Sequence, residues 1–306
     1  MSSLTKVTVS PHIHCGKSTA AIMADVLIAL LPTTLAGTII FGWRALLVVA
    51  VCVLSAVGFE ALFQLIAKKE QTVGDLSAAV TGLLLALNLP ANVPLWQCII
   101  GSLFAIVVVK CLFGGIGKNL VNPAITARVF MLVAFGSLAT PAFPVDTVAG
   151  ATPLTADKMP SLMTLFLGHH GGAIGETCAA TLLLGGIYLL VRRVIAWHIP
   201  VTYIGSVFVF SFFMEGMDVI GALAMILSGG LLIGAFFMAT DYTTSPSTPW
   251  GRAIFGVGAG VLTCLIRYFG TYPEGVSFAI LLMNILTPYI SRWTKRKVFA
   301  TGGKNV

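Results

Sequence analysis

The chain has 306 residues, of which 57% are hydrophobic and only 9% charged, and its mean hydropathy is +0.97. A soluble domain carries charge on roughly a quarter of its residues, so the composition excludes an ordinary soluble fold. The net charge of +7 does not indicate nucleic-acid binding, because the basic residues flank apolar runs and form no patch interleaved with aromatic rings. We therefore predict an integral membrane protein with no nucleic-acid partner.

Ten apolar runs follow one another along the chain, five on either side of a longer polar stretch. In hydrocarbon every backbone N–H and C=O must be hydrogen-bonded within its own segment, so such runs fold as helices. The predicted fold class is an all-α integral membrane protein with about ten transmembrane helices. The runs are 20–41, 45–66, 76–89, 95–113, 121–138, 173–191, 199–214, 219–238, 253–269 and 276–290.

Lysine and arginine are concentrated in one set of the loops between these runs. If the N-terminus lies inside, thirteen of the 18 basic residues are on the cytoplasmic side, and only Arg44 and Lys158 lie in outer loops. Cytoplasmic loops are the ones that retain such residues. Both termini are thus predicted to be cytoplasmic, and residues 139–172 to form an outer-face loop.

The two halves of the chain share a weak internal similarity. The stretch 85–96 precedes a run that ends near Gly114, and the stretch 237–250 precedes one that ends near Gly270. Repeats with an odd number of spans point in opposite directions, which predicts two inverted five-helix repeats; alternatively, Pro and Gly merely mark turns. The predicted units are 1–138, 139–172 and 173–306.

The outer loop contains the run Asp146-Thr-Val-Ala-Gly-Ala-Thr-Pro-Leu-Thr155. Gly150 and Ala151 are small, so an enzyme could approach this backbone closely and reach the hydroxyl of Thr152. A divalent metal held with the help of Asp146 would assist transfer of a phosphate-containing group to that hydroxyl. The sequence predicts a modification site at Thr152.

The same run resembles the flavinylation pattern D-x-x-[S/T]-G-A-[S/T]-x-x-T, in which a dedicated transferase links FMN through its phosphate to the hydroxyl. The one departure is Ala149, where Ser or Thr is usual. The resemblance implies a phosphoprotein with covalent FMN on Thr152 and a flavin transferase for its maturation. The matching positions are Asp146, Gly150, Ala151, Thr152 and Thr155.

Five further motifs are spread along the chain: Ser10-Pro-His-Ile-His14, Asn122-Pro-Ala-Ile-Thr-Ala-Arg-Val-Phe130, Gly175-Glu-Thr177, Ala239-Thr-Asp-Tyr-Thr-Thr-Ser-Pro246 and Tyr272-Pro-Glu-Gly275. With them, nearly the whole chain resembles one family, the D subunit of the Rnf electron-transport complex, which is similar to the B subunit of the sodium-pumping NADH:quinone oxidoreductase. The resemblance implies a multi-pass subunit of an ion-translocating ferredoxin:NAD oxidoreductase in a bacterial or archaeal cell membrane. Iron–sulfur and flavin subunits would be its partners, and it would relay electrons coupled to Na+ or H+ transport. A second, non-covalent flavin such as riboflavin is a further candidate.

Two polar residues of the fifth run are candidates for flavin binding. Arg128 lies inside the run, where an ionised side chain is costly and usually functional or paired. It either binds a flavin phosphate or ring, or is a structural partner for a helix end or for a carboxylate of another subunit. Asn122 begins the run, and Asn followed by Pro is more typical of a helix start than of a ligand site.

Other polar groups within or beside the runs are candidates for an ion path. Asp25 and Glu60 either bind the coupling ion or hold a neighbouring helix by hydrogen bonding. Asp241 stands with Thr243 and Thr244 in a polar segment between two runs. Hydroxyls beside a carboxylate suit Na+ or the edge of a flavin.

The sequence shows no nucleophile with its base, no metal-ligand cluster and no phosphate-binding Gly loop, so we predict no catalytic residue and no metal site. The competing function is a small-solute transporter or channel without a redox cofactor, which ten spans in inverted repeats fit equally well. The acceptor run at Thr152 favours the redox subunit, because a channel has no use for it.

Overall fold

The computed structural model describes residues 18–135, 154, 160–168, 170–270 and 275–295. Every helix or strand element within those ranges is helical, which confirms the all-α prediction for them. Each of the ten apolar runs contains a helix. The helices are α1 Thr19–Phe41, α2 Trp43–Ile66, α3 Ser77–Leu87, α4 Leu95–Leu103, α5 Pro123–Ala134, α6 Leu162–Leu167, α7 Ala179–Val191, α8 His198–Met214, α9 Val219–Leu227, α10 Leu231–Ile233, α11 Pro249–Phe269 and α12 Val276–Trp293.

Short polar side chains begin several of these helices. Ser18 accepts a hydrogen bond from the N–H of Ala21 at 3.2 Å, and Thr248 accepts one from the N–H of Gly251 at 3.1 Å. Asp218 caps α9 in the same way. Each cap satisfies a backbone donor that the first turn leaves unpaired, so the helix starts are encoded locally.

Three of the described helices, α1, α2 and α11, are long and apolar enough to cross a membrane. The pair α9 and α10 would add a fourth if it counts as one broken span. Other apolar helices are shorter, α3 having 11 residues and α5 12. These helices support a membrane protein, while the number of ten spans stays a prediction.

The eighth apolar run is broken rather than continuous, because α9 and α10 meet at an angle of 67°. Gly229 lies at the break with φ +66°, in the left-handed region that glycine adopts without a steric cost. Arg267 of α11 donates hydrogen bonds to the carbonyls of Met225 at 2.6 Å and Ser228 at 3.1 Å. A side chain thus satisfies carbonyls at the end of α9, whose helical bonds stop at the break.

Two helices change from α-type to π-type hydrogen bonding. α4 continues as a π-helix over Phe104–Cys111, and α10 continues as one over Gly234–Met238. The bond from Ala239 N–H to the carbonyl of Gly234, at 2.7 Å, spans five residues instead of four. π-Helical turns are rare and occur frequently at functional sites. These two stretches therefore indicate where a site is to be sought.

The helices pack in a similar pattern in the two halves. α2 packs against α3 and α4, as α8 packs against α9 and α11, and the contacts α1–α7 and α5–α12 join the halves. Gly256 and Gly260 of α11 face Thr202 and Ser206 of α8. Small residues of this kind let two membrane helices approach closely. Between these pairs lies a buried core that includes α3 and both π-helical stretches.

Candidate functional site

A cavity of about 380 Å³ is lined by both π-helical stretches. Lys110 comes from the first stretch, and Phe236 and Phe237 come from the second. The start of α1, one face of α3, the segment 116–124 and the end of α7 supply other parts of its wall. Small-molecule sites have volumes of roughly 300–1,000 Å³ and mostly apolar walls with a few polar groups, which describes this cavity.

Three of the predicted site residues, Asn122, Asp241 and Thr243, line this cavity. Thr243 Oγ1 donates a hydrogen bond to Asp241 Oδ2 at 3.0 Å, and Thr244 Oγ1 donates to the same oxygen at 3.2 Å. The two hydroxyls fix the orientation of the carboxylate. The structure therefore brings the polar segment after the second π-helical stretch to the cavity as one group.

Asn122 connects α5 to the second π-helical stretch. Its Oδ1 accepts hydrogen bonds from the N–H groups of Ala124 at 3.0 Å and Ile125 at 3.4 Å, so it caps α5. Its Nδ2 donates to the carbonyl of Met238 at 3.2 Å. The residue is thus the helix start that the Asn-Pro pair predicts, and it also fixes part of the cavity wall.

Two further asparagines, Asn88 and Asn284, make contacts near Asn122 and were not among the predicted site residues. Asn88 Nδ2 lies 3.7 Å from the sulfur of Met238. Asn284 of α12, with its amide oriented to pair both ends, accepts from the N–H of Asn122 at 3.2 Å and donates to the carbonyl of Thr244 at 3.3 Å. An asparagine within an apolar run is the signal that could have identified them, because such amides often join membrane helices.

Lys110 is a charged residue of the cavity wall to which the sequence analysis assigns no role. Its side chain is 2% exposed, and its ammonium lies 2.6 Å from Glu60 Oε1 and 2.6 Å from Ser77 Oγ. Glu60 Oε1 also accepts from Gln64 at 3.4 Å, whereas Glu60 Oε2 has no hydrogen-bond partner within the described ranges. Glu60, a candidate ion ligand by sequence, is therefore one half of a buried ion pair between α2 and the first π-helical stretch.

Asn119 also lines the cavity, in the segment between the first π-helical stretch and α5. Its Oδ1 is buried and has no hydrogen-bond partner among the residues that the structure describes. A buried acceptor without a donor costs about 1–3 kcal/mol, so a ligand N–H would be stabilised there. The cavity thus offers aromatic side chains, one unpaired acceptor and one ammonium. These groups fit a flavin ring, because its faces are apolar and its edge carries N–H and C=O groups.

Arg128 does not contribute to the cavity wall. Its Nη2 lies 3.6 Å from Oε1 of Glu176, and both side chains are buried. Glu176 follows Gly175, whose N–H donates to the carbonyl of Leu87 at 2.7 Å and so joins this segment to the end of α3. Of the two roles considered for Arg128, the geometry supports pairing with a carboxylate, and the carboxylate belongs to this chain.

Asp25 also lies outside the cavity wall. Arg192 Nη2 lies 3.2 Å from its Oδ1 and 3.3 Å from its Oδ2, and the hydroxyl of Tyr188 donates to Oδ1 at 3.0 Å. These bonds join α1 to the end of α7. The geometry supports the helix-holding role for Asp25 over the ion-binding one.

One residue of the flavinylation run, Leu154, lies among the described residues. Its Cδ1 is 2.9 Å from the position that a Cβ on Gly229 would take, and Arg267 Nη2 is 3.0 Å from the same position. Leu154 therefore packs at the break between α9 and α10. The predicted modification residues Asp146, Gly150, Ala151, Thr152 and Thr155 lie outside the described residues.

Comparison with known proteins gives matches over nearly the full chain. The model of the NQR2, RnfD, RnfE family matches residues 6–300. The chain is 47% identical over 304 residues to the D subunit of the Na+-translocating ferredoxin:NAD+ oxidoreductase complex of Acetobacterium woodii, covering 96% of this chain and 94% of that one. It is 40% identical over 317 residues to the D subunit of the proton-translocating ferredoxin:NAD+ oxidoreductase complex of Clostridium ljungdahlii, covering 96% of each.

A third relative is the D subunit of the ion-translocating oxidoreductase complex of Halorhodospira halophila, 36% identical over 343 residues with 97% of this chain and 96% of that one covered. The matched region includes the cavity and both π-helical stretches.

Proposed function

The chain belongs to the NQR2, RnfD, RnfE family, and we propose that it is a membrane subunit of an ion-translocating ferredoxin:NAD oxidoreductase complex that carries FMN on Thr152. In this role it relays electrons within the complex while Na+ or H+ crosses the membrane. The names of its relatives divide between these two ions. Iron–sulfur and flavin subunits hold the other redox centres, and a flavin transferase attaches the FMN.

The match of the family over nearly the full chain carries this proposal. The cavity between the two π-helical stretches supports a second flavin in addition. It combines Phe236 and Phe237 with the unpaired Oδ1 of Asn119 and the ammonium of Lys110. We assign it to the second flavin, a non-covalent one such as riboflavin, because these groups match a ring with apolar faces and a polar edge.

The residues of the chain position the ring and set its electrostatic surroundings. A flavin supplies the ability to accept and pass single electrons. Phe236 and Phe237 exclude water, and Asn119 Oδ1 orients the ring by accepting a hydrogen bond. The ammonium of Lys110, whose charge Glu60 compensates at 2.6 Å, adds a polar N–H group to the wall. Asp241 contributes a carboxylate to another part of the wall.

The proposal includes a topology of ten spans in two inverted repeats, with both termini cytoplasmic and Thr152 on the outer face. The matched helix pairs α2–α4 and α8–α11, with α1–α7 and α5–α12 between the halves, support such a two-fold relation. In this topology the segment 116–119 of the cavity wall belongs to a cytoplasmic loop. The two flavins then lie toward opposite sides of the membrane, so electrons pass across it. The membrane would be that of a bacterial or archaeal cell.

The test is flavin fluorescence of the denatured chain on a gel, after expression with its flavin transferase. We expect fluorescence from the wild type that is lost in Thr152→Ala. Thr147→Ala, a change in the same run, is the matched control and should keep it. Absence of fluorescence from a wild-type chain exposed to active transferase would favour the transporter or channel instead.

A further inference from the structure

A line of hydrogen bonds leads from the cavity wall toward the protein surface. The ammonium of Lys110 donates to Ser77 Oγ at 2.6 Å, and Ser77 Oγ donates in turn to Asp75 Oδ1 at 2.5 Å. Asp75 ends the 3₁₀ turn Val73–Asp75 ahead of α3 and is partly exposed. The three side chains therefore connect the cavity to the loop between α2 and α3, which the distribution of basic residues predicts to be cytoplasmic.

Glu60 keeps this line in place by compensating the charge of Lys110. A buried ammonium is strongly destabilised unless a counter-charge and hydrogen bonds replace its lost water. Glu60 Oε1 supplies the counter-charge at 2.6 Å. Gln64 donates to the same oxygen, and Gln64 is itself bonded to Thr72 at 2.7 Å and 2.9 Å. The ammonium is thus held between a carboxylate on one side and a hydroxyl on the other.

We propose that Lys110, Ser77 and Asp75 form a proton-transfer chain that serves the flavin of the cavity. Lys110 is the group that meets the ring, and Ser77 and Asp75 restore its proton from the cytoplasmic side. This inference rests on the proposed function, because it requires a redox group in the cavity.

The proposed step balances protons and electrons separately. The electrons reach the ring from the iron–sulfur and flavin centres of partner subunits, and none passes through the chain of side chains. As the reduced ring gains a proton, one N–H bond of Lys110 breaks and one N–H bond of the ring forms. The neutral amine takes a proton from the Ser77 hydroxyl, and Ser77 regains a proton that water delivers through the Asp75 carboxylate.

The order of bonds in the structure suits the return of that proton. Lys110 donates to Ser77 and Ser77 donates to Asp75, so a proton moves outward if each bond transfers its hydrogen. This outward transfer leaves a neutral amine on Lys110. When the ring is oxidised and releases its proton, that amine takes it. One line of side chains therefore works in both directions.

Other titratable groups surround Lys110. Glu60 faces it from α2, Cys111 follows it in the chain, and Asp241 and Tyr242 line the same cavity. Glu60 is bonded to the ammonium itself, and Asp241 accepts from Thr243 and Thr244, so their bonds do not lead toward Asp75.

The experiment uses the purified complex with its non-covalent flavin bound. Reduction by dithionite is followed in a stopped-flow instrument by flavin absorbance, which separates charged from protonated reduced rings, in H2O and in D2O. Ser77→Ala should slow protonation at least tenfold, and Ser77→Thr, which keeps a hydroxyl, should restore it to within about twofold. Lys110→Met should slow it at least as much as Ser77→Ala.

Lys118→Met is the matched control, since this exposed lysine lies eight positions further along, and its rate should equal that of the wild type.

Unchanged rates and isotope effects in Ser77→Ala with flavin bound would overturn the proton chain and leave the proposed function standing. Absence of non-covalent flavin from the wild-type complex would overturn both the assignment of the cavity and the proton chain, while FMN on Thr152 is decided separately by the gel fluorescence of Thr152→Ala. If Lys110→Met does not fold, the double variant Glu60→Gln/Lys110→Met, which leaves no unpaired charge, decides the outcome by the same rates.

Discussion

Two of the acid–base pairs among the described residues, Glu60–Lys110 and Asp25–Arg192, differ in their surroundings. Glu60 and Lys110 are 1% and 2% exposed, and their charged atoms lie 2.6 Å apart. Asp25 is buried as well, but the side chain of its partner Arg192 is 54% exposed and the nearest atoms are 3.2 Å apart. The same kinds of residue thus form a fully desolvated pair beside the cavity and a half-solvated pair between α1 and α7.

The difference teaches what each pair contributes. A half-solvated pair adds little to the free energy of unfolding, because water already stabilises one of its charges. A desolvated pair is no more stabilising than a well-packed apolar pair would be, yet loss of one partner is costly. Glu60 and Lys110 are therefore poorly explained by stability alone. The place of Lys110 on the cavity wall agrees with a role in the chemistry of that cavity.

The largest expected effect is that of Lys110→Met, which leaves the carboxylate of Glu60 buried without a counter-charge. We expect a loss of about 3–5 kcal/mol in the free energy of unfolding, measured by thermal unfolding in detergent. Glu60→Gln/Lys110→Met should regain most of this loss, because neither charge remains. If the double variant were as unstable as the single one, the pair would not be coupled as the structure indicates.

A smaller effect is expected from Asn122→Ala, which removes the cap of α5 and the bond to the carbonyl of Met238. The loss should be about 1–2 kcal/mol, since caps of this type contribute about 1 kcal/mol and a hydrogen bond a similar amount. Asn122→Ser retains a capping oxygen but not the amide donor, so its loss should be intermediate. Equal stability of the alanine variant and the wild type would contradict both assigned contacts.

A still smaller effect is expected from Asp25→Asn at the half-solvated pair. The free energy of unfolding should fall by about 0–1 kcal/mol, because Arg192 remains in contact with water. The difference from the wild type should shrink as NaCl is raised from low ionic strength to about 1 M, where charges are screened within roughly 3 Å. A loss as large as that of Lys110→Met would remove the distinction between the two pairs.

The smallest effect on stability is expected from Asn119→Leu, which replaces an acceptor that lacks a donor. The free energy of unfolding should change by less than about 0.5 kcal/mol, while the dissociation constant of the non-covalent flavin rises roughly five- to tenfold, equivalent to one hydrogen bond. Flavin released by acid from the purified complex gives the measurement. Asn92→Leu, at an exposed asparagine, is the control. Full flavin retention in Asn119→Leu would exclude this amide from the site.

Local features of the fold could be predicted from the sequence. The ten apolar runs each contain a helix, and the Asn122-Pro123 pair begins α5 as its chemistry requires. The exception is the break at Gly229, which lies in an apolar run that contains neither proline nor charge. Two successive glycines were its only local signal, and glycine is also common within continuous membrane helices.

The partners of polar residues could not be predicted. Glu60 and Lys110 are 50 positions apart, and Asp25 and Arg192 are 167 apart. An apolar pattern shows that a charge lies in a helix, but the helix that faces it depends on the packing of the whole chain. The modification site at Thr152 is the reverse case, because its pattern is entirely local. It stays a prediction, since that residue lies outside the described part of the structure.

The π-helical stretch Phe104–Cys111 makes the angular position of Lys110 depend on the count of residues ahead of it. Each residue of an α-helix turns the chain by about 100°, since 3.6 residues complete a turn. Deleting one residue between α4 and Lys110 could restore ordinary α-type bonding and keep a continuous apolar helix. The lysine would nevertheless be turned by about a quarter of a revolution, away from Glu60 and the cavity. A deletion that leaves composition and hydropathy almost unchanged would in this way remove the ammonium of Lys110 from the cavity wall. We therefore expect natural variation in the length of this helix to be more restricted than variation in its side chains.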